Sequence, residues 1–284
     1  MNDQFDIENQ LAASSVTFRD ESLDDALRRL RGLGFMRIDL LAIRHYCDHF
    51  DPLLVSVGDH EAQRVRAIVD EYGVQVVSMT TYPANPLGRN LNGDDWVAGI
   101  DAYMQVGRAL DAHIAIFPPG TPAPMASRWR GTAEMVLPWL REAARRALSA
   151  NMRPAIALQS NSLLRTSENG LDFLKLLNMP DVGLAVDTAH LTAMGEDPAK
   201  SLRRMGDAVA YVMLRDTDGQ NFNLPPGGGF IDFSAVLDAL ARINYTGPLT
   251  LSIDDVDVTA DRRAKMLSDG RDFLLASREK RQAA

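Results

Sequence analysis

Short apolar segments alternate with longer segments of helical periodicity along most of this 284-residue chain. The first predicted helix shows the pattern, since Ser22 and Asp25 resemble a capping box at its start and Gly32 and Gly34 end it. Its apolar face consists of Leu23, Ala26, Leu27 and Leu30. A chain with this alternation predicts parallel strands joined by crossover helices, because parallel neighbours cannot be connected by a tight hairpin.

Eight apolar segments have the length and composition of strands. They are residues 16–18, 35–41, 74–80, 112–117, 154–158, 183–186, 208–214 and 249–253. Eight β/α units predict an α/β fold of the (β/α)8 TIM barrel type, as a single domain over residues 1–284 with a barrel core at about 15–275. An open, doubly wound sheet is the alternative, and it is disfavoured because no glycine-rich phosphate-binding motif follows the first strand.

Composition narrows the classes of partner. The formal net charge of −8 disfavours nucleic acid and anionic membranes, since both attract clusters of Lys and Arg. The one cysteine, Cys47, cannot form an intramolecular disulfide. Residues 1–15 lack the basic and apolar regions of a signal peptide, and no apolar run approaches the roughly 18 residues of a membrane span. We therefore expect a cytoplasmic protein with a small-molecule ligand, and association into homo-oligomers is left open.

Polar residues at the ends of the predicted strands are the candidates for a site, because barrel enzymes hold their active site at the C-terminal ends of the strands. These residues are Asp39, Thr80, Thr81, Gln159, Asn161, Asp187, His190, Arg215, Asp216, Asp254 and Asp255. Because these side chains adjoin buried strands, each either has a hydrogen-bond or ion-pair partner for structural reasons or takes part in function. Asp254 and Asp255 point to opposite faces of a strand, so only one of them can face into the barrel.

Several motifs resemble one known family. They are SLDDALRRLRGLGFMRIDLLA, IALQSN, GLAVDTAHL, AYVMLRDTDG and LPPGGGFIDFSAVLDALARINYTGPLTLSI, in this order along the chain. Together they resemble the xylose-isomerase-like superfamily, the sugar phosphate isomerase and epimerase group. The resemblance implies a sugar-metabolising enzyme whose substrate is a small hydroxylated carbonyl compound.

The resemblance also implies a divalent metal held by Glu, Asp, His and Glu at the ends of strands five to eight. These positions correspond to Gln159, Asp187, Met213 and Asp254, so only Asp187 is retained. A thioether is soft and neutral, and an amide lacks charge, so this donor set suits Mn²⁺ or Mg²⁺ poorly. We expect no tightly bound metal, and weak Mn or Mg binding through Asp187, Asp254 and Gln159 is the alternative.

Further positions follow from the same resemblance. His190 stands at the place of a substrate-contacting histidine, and Asp39 stands where the family often has a glutamate on strand two. As an isomerase or epimerase, the protein would use Asp254 as general base and His190 to polarise a ligand oxygen. The candidates for binding a sugar or polyol are Gln159, Asp187, Asn161, Arg215 and Trp129. A metal-independent lyase or dehydratase acting on a ring compound, and a non-catalytic ligand-binding subunit, are the competing hypotheses.

Structural interpretations compete with some of these roles. The role of Asp187 could be purely structural, to hold the turn that follows it. Arg215 is expected to pair with Asp216. Met213 is expected to fill the space of a lost metal ligand. We interpret His45, Cys47 and His49 as an incidental surface run, and residues 227–229 as a tight glycine turn rather than a phosphate site.

Overall fold

The computed structural model describes residues 5–43, 45–55, 60–81, 86–87, 92–120, 129–255 and 257–282. Its strands form one closed barrel in which each strand is parallel to its neighbours. They are β1 (Leu11–Ser14), β2 (Arg37–Ala42), β3 (Gln75–Thr81), β4 (Ile114–Phe117), β5 (Arg153–Ala157), β6 (Gly183–Asp187), β7 (Val209–Leu214) and β8 (Leu249–Leu251). The (β/α)8 barrel predicted from the sequence is therefore confirmed.

Helices surround the barrel. Those in the described part of the chain are α1 (Ile7–Gln10), α2 (Leu23–Gly32), α3 (Pro52–Val55), α4 (His60–Tyr72), α5 (Gly93–Ala109), α6 (Trp129–Ser149), α7 (Ser167–Leu177), α8 (Thr188–Ala193), α9 (Pro198–Met205), α10 (Phe233–Arg242) and α11 (Ala260–Gln282). The predicted cap of α2 is present, since Ser22 Oγ accepts the backbone N–H of Asp25 at 3.1 Å. In the ranges described, none of these helices is both long and apolar enough to span a membrane.

The first strand lies earlier in the chain than the sequence predicts. The predicted strand at 16–18 is wrong, because Ser15–Phe18 forms a 3-10 helix and the strand is Leu11–Ser14. Alanines have weak strand propensity, but this segment is fully buried and pairs with both β2 and β8, so tertiary context determines its conformation. The barrel core consequently begins at residue 11 rather than at about 15.

The inner surface of the barrel has an apolar side and a polar side. On β4 to β7 the residues in contact are mostly aliphatic, and they include Ile116, Ala157 and Ala185. On β1 to β3, Ser14, Asp39 and Ser78 are buried together. Since side chains alternate along each strand, the remaining apolar residues face outward and form the large core with the helices.

Candidate functional site

A cavity of about 590 Å³ opens where the strands end at their C-termini. This volume lies in the range of small-molecule sites, roughly 300–1,000 Å³. Its polar lining consists of Ser14, Tyr46, Thr80, Gln159, Ser160, Asn161, Asp187, His190, Tyr211, Arg215, Asn223, Ser252 and Asp254. Seven of the sequence-predicted residues are thus brought to one cavity, with Met213 beside them: Thr80, Gln159, Asn161, Asp187, His190, Arg215 and Asp254.

Asp187 is held in this wall by contacts to both of its carboxylate oxygens. It is the last residue of β6 and the N-cap of α8, and its Oδ1 accepts the backbone N–H groups of Ala189 at 2.9 Å and His190 at 3.2 Å. Its Oδ2 receives Arg215 Nε at 2.8 Å and Nη2 at 2.6 Å. Burial alone would raise the pKa of Asp187, but the charge of Arg215 and the contacts with His190 hold this pKa below its usual value. Asp187 is therefore an anion at neutral pH.

Arg215 does not pair with Asp216, so that prediction is wrong. Its guanidinium turns to Asp187, and its Nη1 donates to Asn223 Oδ1 at 2.7 Å. Successive residues at a strand end point to opposite sides, which separates Arg215 from its neighbour. Asp216 is fully buried and accepts four backbone N–H groups, from Thr217, Gly227, Gly229 and Ile231, at 2.8 to 3.0 Å. The glycine turn at 227–229 thus binds a carboxylate of the protein itself through backbone N–H groups.

His190 lies beside Asp187 with its ring at the cavity. Its Nδ1 accepts the backbone N–H of Ser160 at 3.4 Å and lies 2.9 Å from Ser160 Oγ. The neutral ring therefore carries its proton on Nε2. Burial lowers the pKa of His190, Asp187 opposes this and Arg215 adds to it, so the net pKa is below the usual value. At neutral pH this histidine is a neutral hydrogen-bond donor.

Asp254 lies in the cavity wall after β8 and has two partners that the sequence did not indicate. The phenol of Tyr46 donates to its Oδ2. Arg19 Nε lies 2.9 Å from its Oδ1, close enough for an ion pair although the N–H is not aligned for a hydrogen bond. The Arg19 guanidinium also lies 3.9 Å from the centre of the Tyr46 ring. Asp255, as expected, is not among the described residues that line the cavity.

The residues at the metal positions do not fit a divalent cation. Met213 pairs with Asp187 in the strand register, so a thioether stands beside the one retained carboxylate. Both oxygens of Asp187 and both oxygens of Asp254 already contact protein cations or N–H and O–H donors. Across the described part of the chain, no three His, Cys, Asp or Glu side chains are grouped as metal ligands. The donors around this cavity therefore suit a divalent cation poorly.

Asp39 lies below the cavity rather than in its wall. It is fully buried, and Ser14 Oγ and Ser78 Oγ donate to its two carboxylate oxygens at 2.7 and 2.8 Å. Burial raises the pKa of Asp39 from 3.8 to about 6, against the opposing effect of these hydroxyl groups. Because the folded protein holds this proton more tightly than the unfolded chain, the associated stability is complete below pH 4. It is lost as the pH rises through about 6.

We expect Asp39→Asn to remove this pH dependence. The amide has nearly the same shape and stays neutral, so its stability relative to the wild type should increase between pH 4 and pH 7 by on the order of 3 kcal/mol. Urea unfolding at several pH values measures this difference. Asp172→Asn, at an exposed helical site, is the control. Parallel pH profiles for the wild type and Asp39→Asn would contradict the prediction.

Two further expectations from the sequence differ from the structure. Cys47 and His49 are not on the surface, because an antiparallel bridge between Ile43 and Cys47 turns the chain inward. Cys47 Sγ lies 3.3 Å from His49 Nδ1, and burial raises the pKa of Cys47 to about 12 and lowers that of His49 to about 4.

Trp129 donates its indole N–H to Leu163 O at 3.1 Å and packs on the core. This position does not support stacking of Trp129 on a ligand.

Comparison with known proteins agrees with this architecture. The family model of the xylose isomerase-like TIM barrel matches residues 27–276. A ketose 3-epimerase of Arthrobacter globiformis is 28% identical over 118 residues, which are 42% of this chain and 39% of that protein. An L-ribulose 3-epimerase of Mesorhizobium japonicum is 27% identical over 210 residues, which are 73% of this chain and 63% of that protein. The chain thus spans less than two thirds of the length of each of these relatives.

A solved structure, that of the IolI protein with a bound zinc atom, has the same fold. It matches with a TM-score of 0.76 at 16% identity, covering 94% of this chain and 98% of the other. At this identity the likeness concerns the fold alone. Because the family model covers most of the chain, this protein belongs to the xylose isomerase-like TIM barrel family.

Proposed function

We propose that this protein is a sugar epimerase or isomerase that acts on a ketose or a similar hydroxylated carbonyl compound without a tightly bound metal. The observation that carries the proposal is a single cavity that contains a carboxylate, Asp254, together with hydrogen-bond donors, His190 and Arg215. The names of the two curated relatives, a ketose 3-epimerase and an L-ribulose 3-epimerase, support the substrate class.

Proton transfer next to a carbonyl group requires a base and a group that stabilises the oxygen. Asp254 takes the proton from the carbon beside the carbonyl, and the electron pair of the C–H bond moves to the carbonyl oxygen, which gives an enediolate. The N–H groups of His190 and Arg215 donate to that oxygen as its negative charge develops. Asp254, now a carboxylic acid, or solvent then returns a proton to the same carbon or to its neighbour. When solvent protonates the opposite face of the same carbon and Asp254 releases its proton to solvent, the product is an epimer. When the proton goes to the neighbouring carbon and the proton of the adjacent hydroxyl moves to the original carbonyl oxygen, the product is an isomer.

Amide side chains suit the other hydroxyl groups of a sugar. Gln159 and Asn161 lie at the cavity, and each amide both donates and accepts hydrogen bonds. Gln159 cannot exchange a proton near neutral pH, so it serves in binding rather than in acid–base chemistry. The apolar side formed by Ile116, Ala157 and Ala185 would contact the carbon chain of the ligand. A hydroxylated ligand with one apolar face matches this distribution.

A ketose panel tests the proposal. The protein is treated with EDTA, mixed with free and phosphorylated ketoses in D₂O, and followed by thermal melting and proton NMR. We expect at least one ketose to raise Tm and to exchange the hydrogen beside its carbonyl for deuterium. Binding without exchange would favour the non-catalytic subunit, and no response to any ketose would contradict the substrate class. Exchange that disappears with EDTA and returns with Mn²⁺ would contradict metal independence.

A further inference from the structure

The carboxylate of Asp187 is saturated by groups of the protein itself. One oxygen caps α8 through two backbone N–H groups, and the other accepts the Nε–H of Arg215 and forms an ion pair with its Nη2. A carboxylate oxygen that bound a metal would need a lone pair directed at the ion. Here the outward oxygen is directed at a guanidinium, which is a positively charged group.

Arg215 is held in this position from several directions. Thr188 Oγ donates to the carbonyl of Arg215 at 2.6 Å and lies 3.0 Å from its backbone N–H, which it accepts. Asn223 accepts from Nη1, and Asp187 accepts from Nε and forms an ion pair with Nη2. The side chain is only 11% exposed, and that of Asp187 is 9% exposed. The ion pair is therefore a fixed part of the cavity wall rather than a surface contact.

The guanidinium retains capacity for a ligand. It has five N–H groups, of which two are directed at Asp187 and one at Asn223. The other two have no partner among the described residues, and Arg215 lines the cavity. A metal ion in such a site supplies positive charge and binding positions for ligand oxygens. Arg215 supplies both.

We propose that the Arg215 guanidinium occupies the place of a divalent cation beside Asp187 and is the permanent cation of this cavity. Two substitutions then have one explanation. Once an arginine side chain neutralises Asp187, the donors that a metal requires are no longer needed, and glutamine and methionine stand at residues 159 and 213. The use of this cation to stabilise an enediolate rests on the proposed function, but its position does not.

Mn²⁺ binding to designed variants tests the position without any sugar. Met213→His places an imidazole beside Asp187 while Arg215 is kept, and Met213→His/Arg215→Ala also removes the guanidinium. We expect the wild type and Met213→His to bind no Mn²⁺ at millimolar concentration in calorimetric titration. The double variant should bind Mn²⁺ at least tenfold more tightly than Met213→His, and Mn²⁺ should raise its Tm. Adding Asp187→Asn to the double variant should abolish both effects.

Three results would overturn the proposal. Mn²⁺ binding by the wild type, or equal binding by Met213→His and the double variant, would show that the guanidinium does not exclude the ion. No binding by the double variant would show that the vacated space is not a cation position. Arg215→Gln in the same background is prepared in parallel in case alanine prevents folding, and failure of both to fold even with Mn²⁺ would also count against the proposal. None of these results depends on ketose turnover, so the proposed function stands or falls separately.

Discussion

Asp254→Asn is expected to reduce turnover by about 10²- to 10⁴-fold, the range that a positioned acid or base contributes to catalysis. The amide keeps the shape of the carboxylate and still accepts the hydrogen bond from Tyr46, but it cannot take a proton near neutral pH. Asp254 is 21% exposed and Arg19 is 19% exposed, so losing the charge of Asp254 should lower the free energy of unfolding by about 1–3 kcal/mol. Steady-state kinetics on a ketose that responds in the panel, together with melting of both proteins, measures the two effects.

The neighbouring carboxylate provides the matched control. Asp255→Asn makes the same chemical change one residue away, outside the described lining of the cavity, and we expect kcat to stay within about twofold of the wild type. Tyr46→Phe removes one hydrogen bond from Asp254 and should give an intermediate loss. Undiminished turnover in Asp254→Asn would remove this residue from the mechanism. Equal losses in Asp254→Asn and Asp255→Asn would indicate a general disturbance of the loop.

The fold was predictable because the barrel repeats one local pattern. Seven of the predicted strands overlap β2 to β8, and each is an apolar segment followed by a helix. The first strand was misplaced because Leu11–Ser14 is built from small residues, whose burial depends on pairing with Leu249–Leu251 at the far end of the sequence. Local propensity carries no information about such a partner.

The candidate site was predictable where a side chain follows a strand directly. Asp187 and Arg215 meet this condition, and both line the cavity. Arg19 and Tyr46 do not, since they lie in the segments that follow the 3-10 helix and β2 and reach Asp254 from more than 200 residues away. A polar residue in such a segment has the same local sequence signal whether it meets solvent or another loop. The sequence analysis assigned Arg215 the wrong partner for a related reason. Adjacency to Asp216 in the sequence does not show which side of a strand end each residue faces.

Asp216→Ala is expected to lower the free energy of unfolding by on the order of 4 kcal/mol. The carboxylate is fully buried and accepts the N–H groups of Thr217, Gly227, Gly229 and Ile231. Alanine would leave all four donors without their acceptor. The bonds from Thr217 and Ile231 are buried, and each unsatisfied buried donor costs about 1–3 kcal/mol before any relaxation. In a domain of this size the loss corresponds to a fall in Tm of about 10 °C.

Asp218→Ala is the matched control for this substitution. Asp218 lies two residues away and also accepts two backbone N–H groups, from Gln220 and Asn221, but it is exposed, so water can replace its carboxylate. We expect the control to cost about 1 kcal/mol or less in chemical unfolding. The turn leaves no space for a side chain beside Asp216, since a Cβ at Gly229 would lie 2.5 Å from Asp216 Oδ1 and 2.2 Å from the carbonyl oxygen of Thr217. Equal stabilities of Asp216→Ala and Asp218→Ala would mean that the loop after β7 is held by packing and not by this carboxylate.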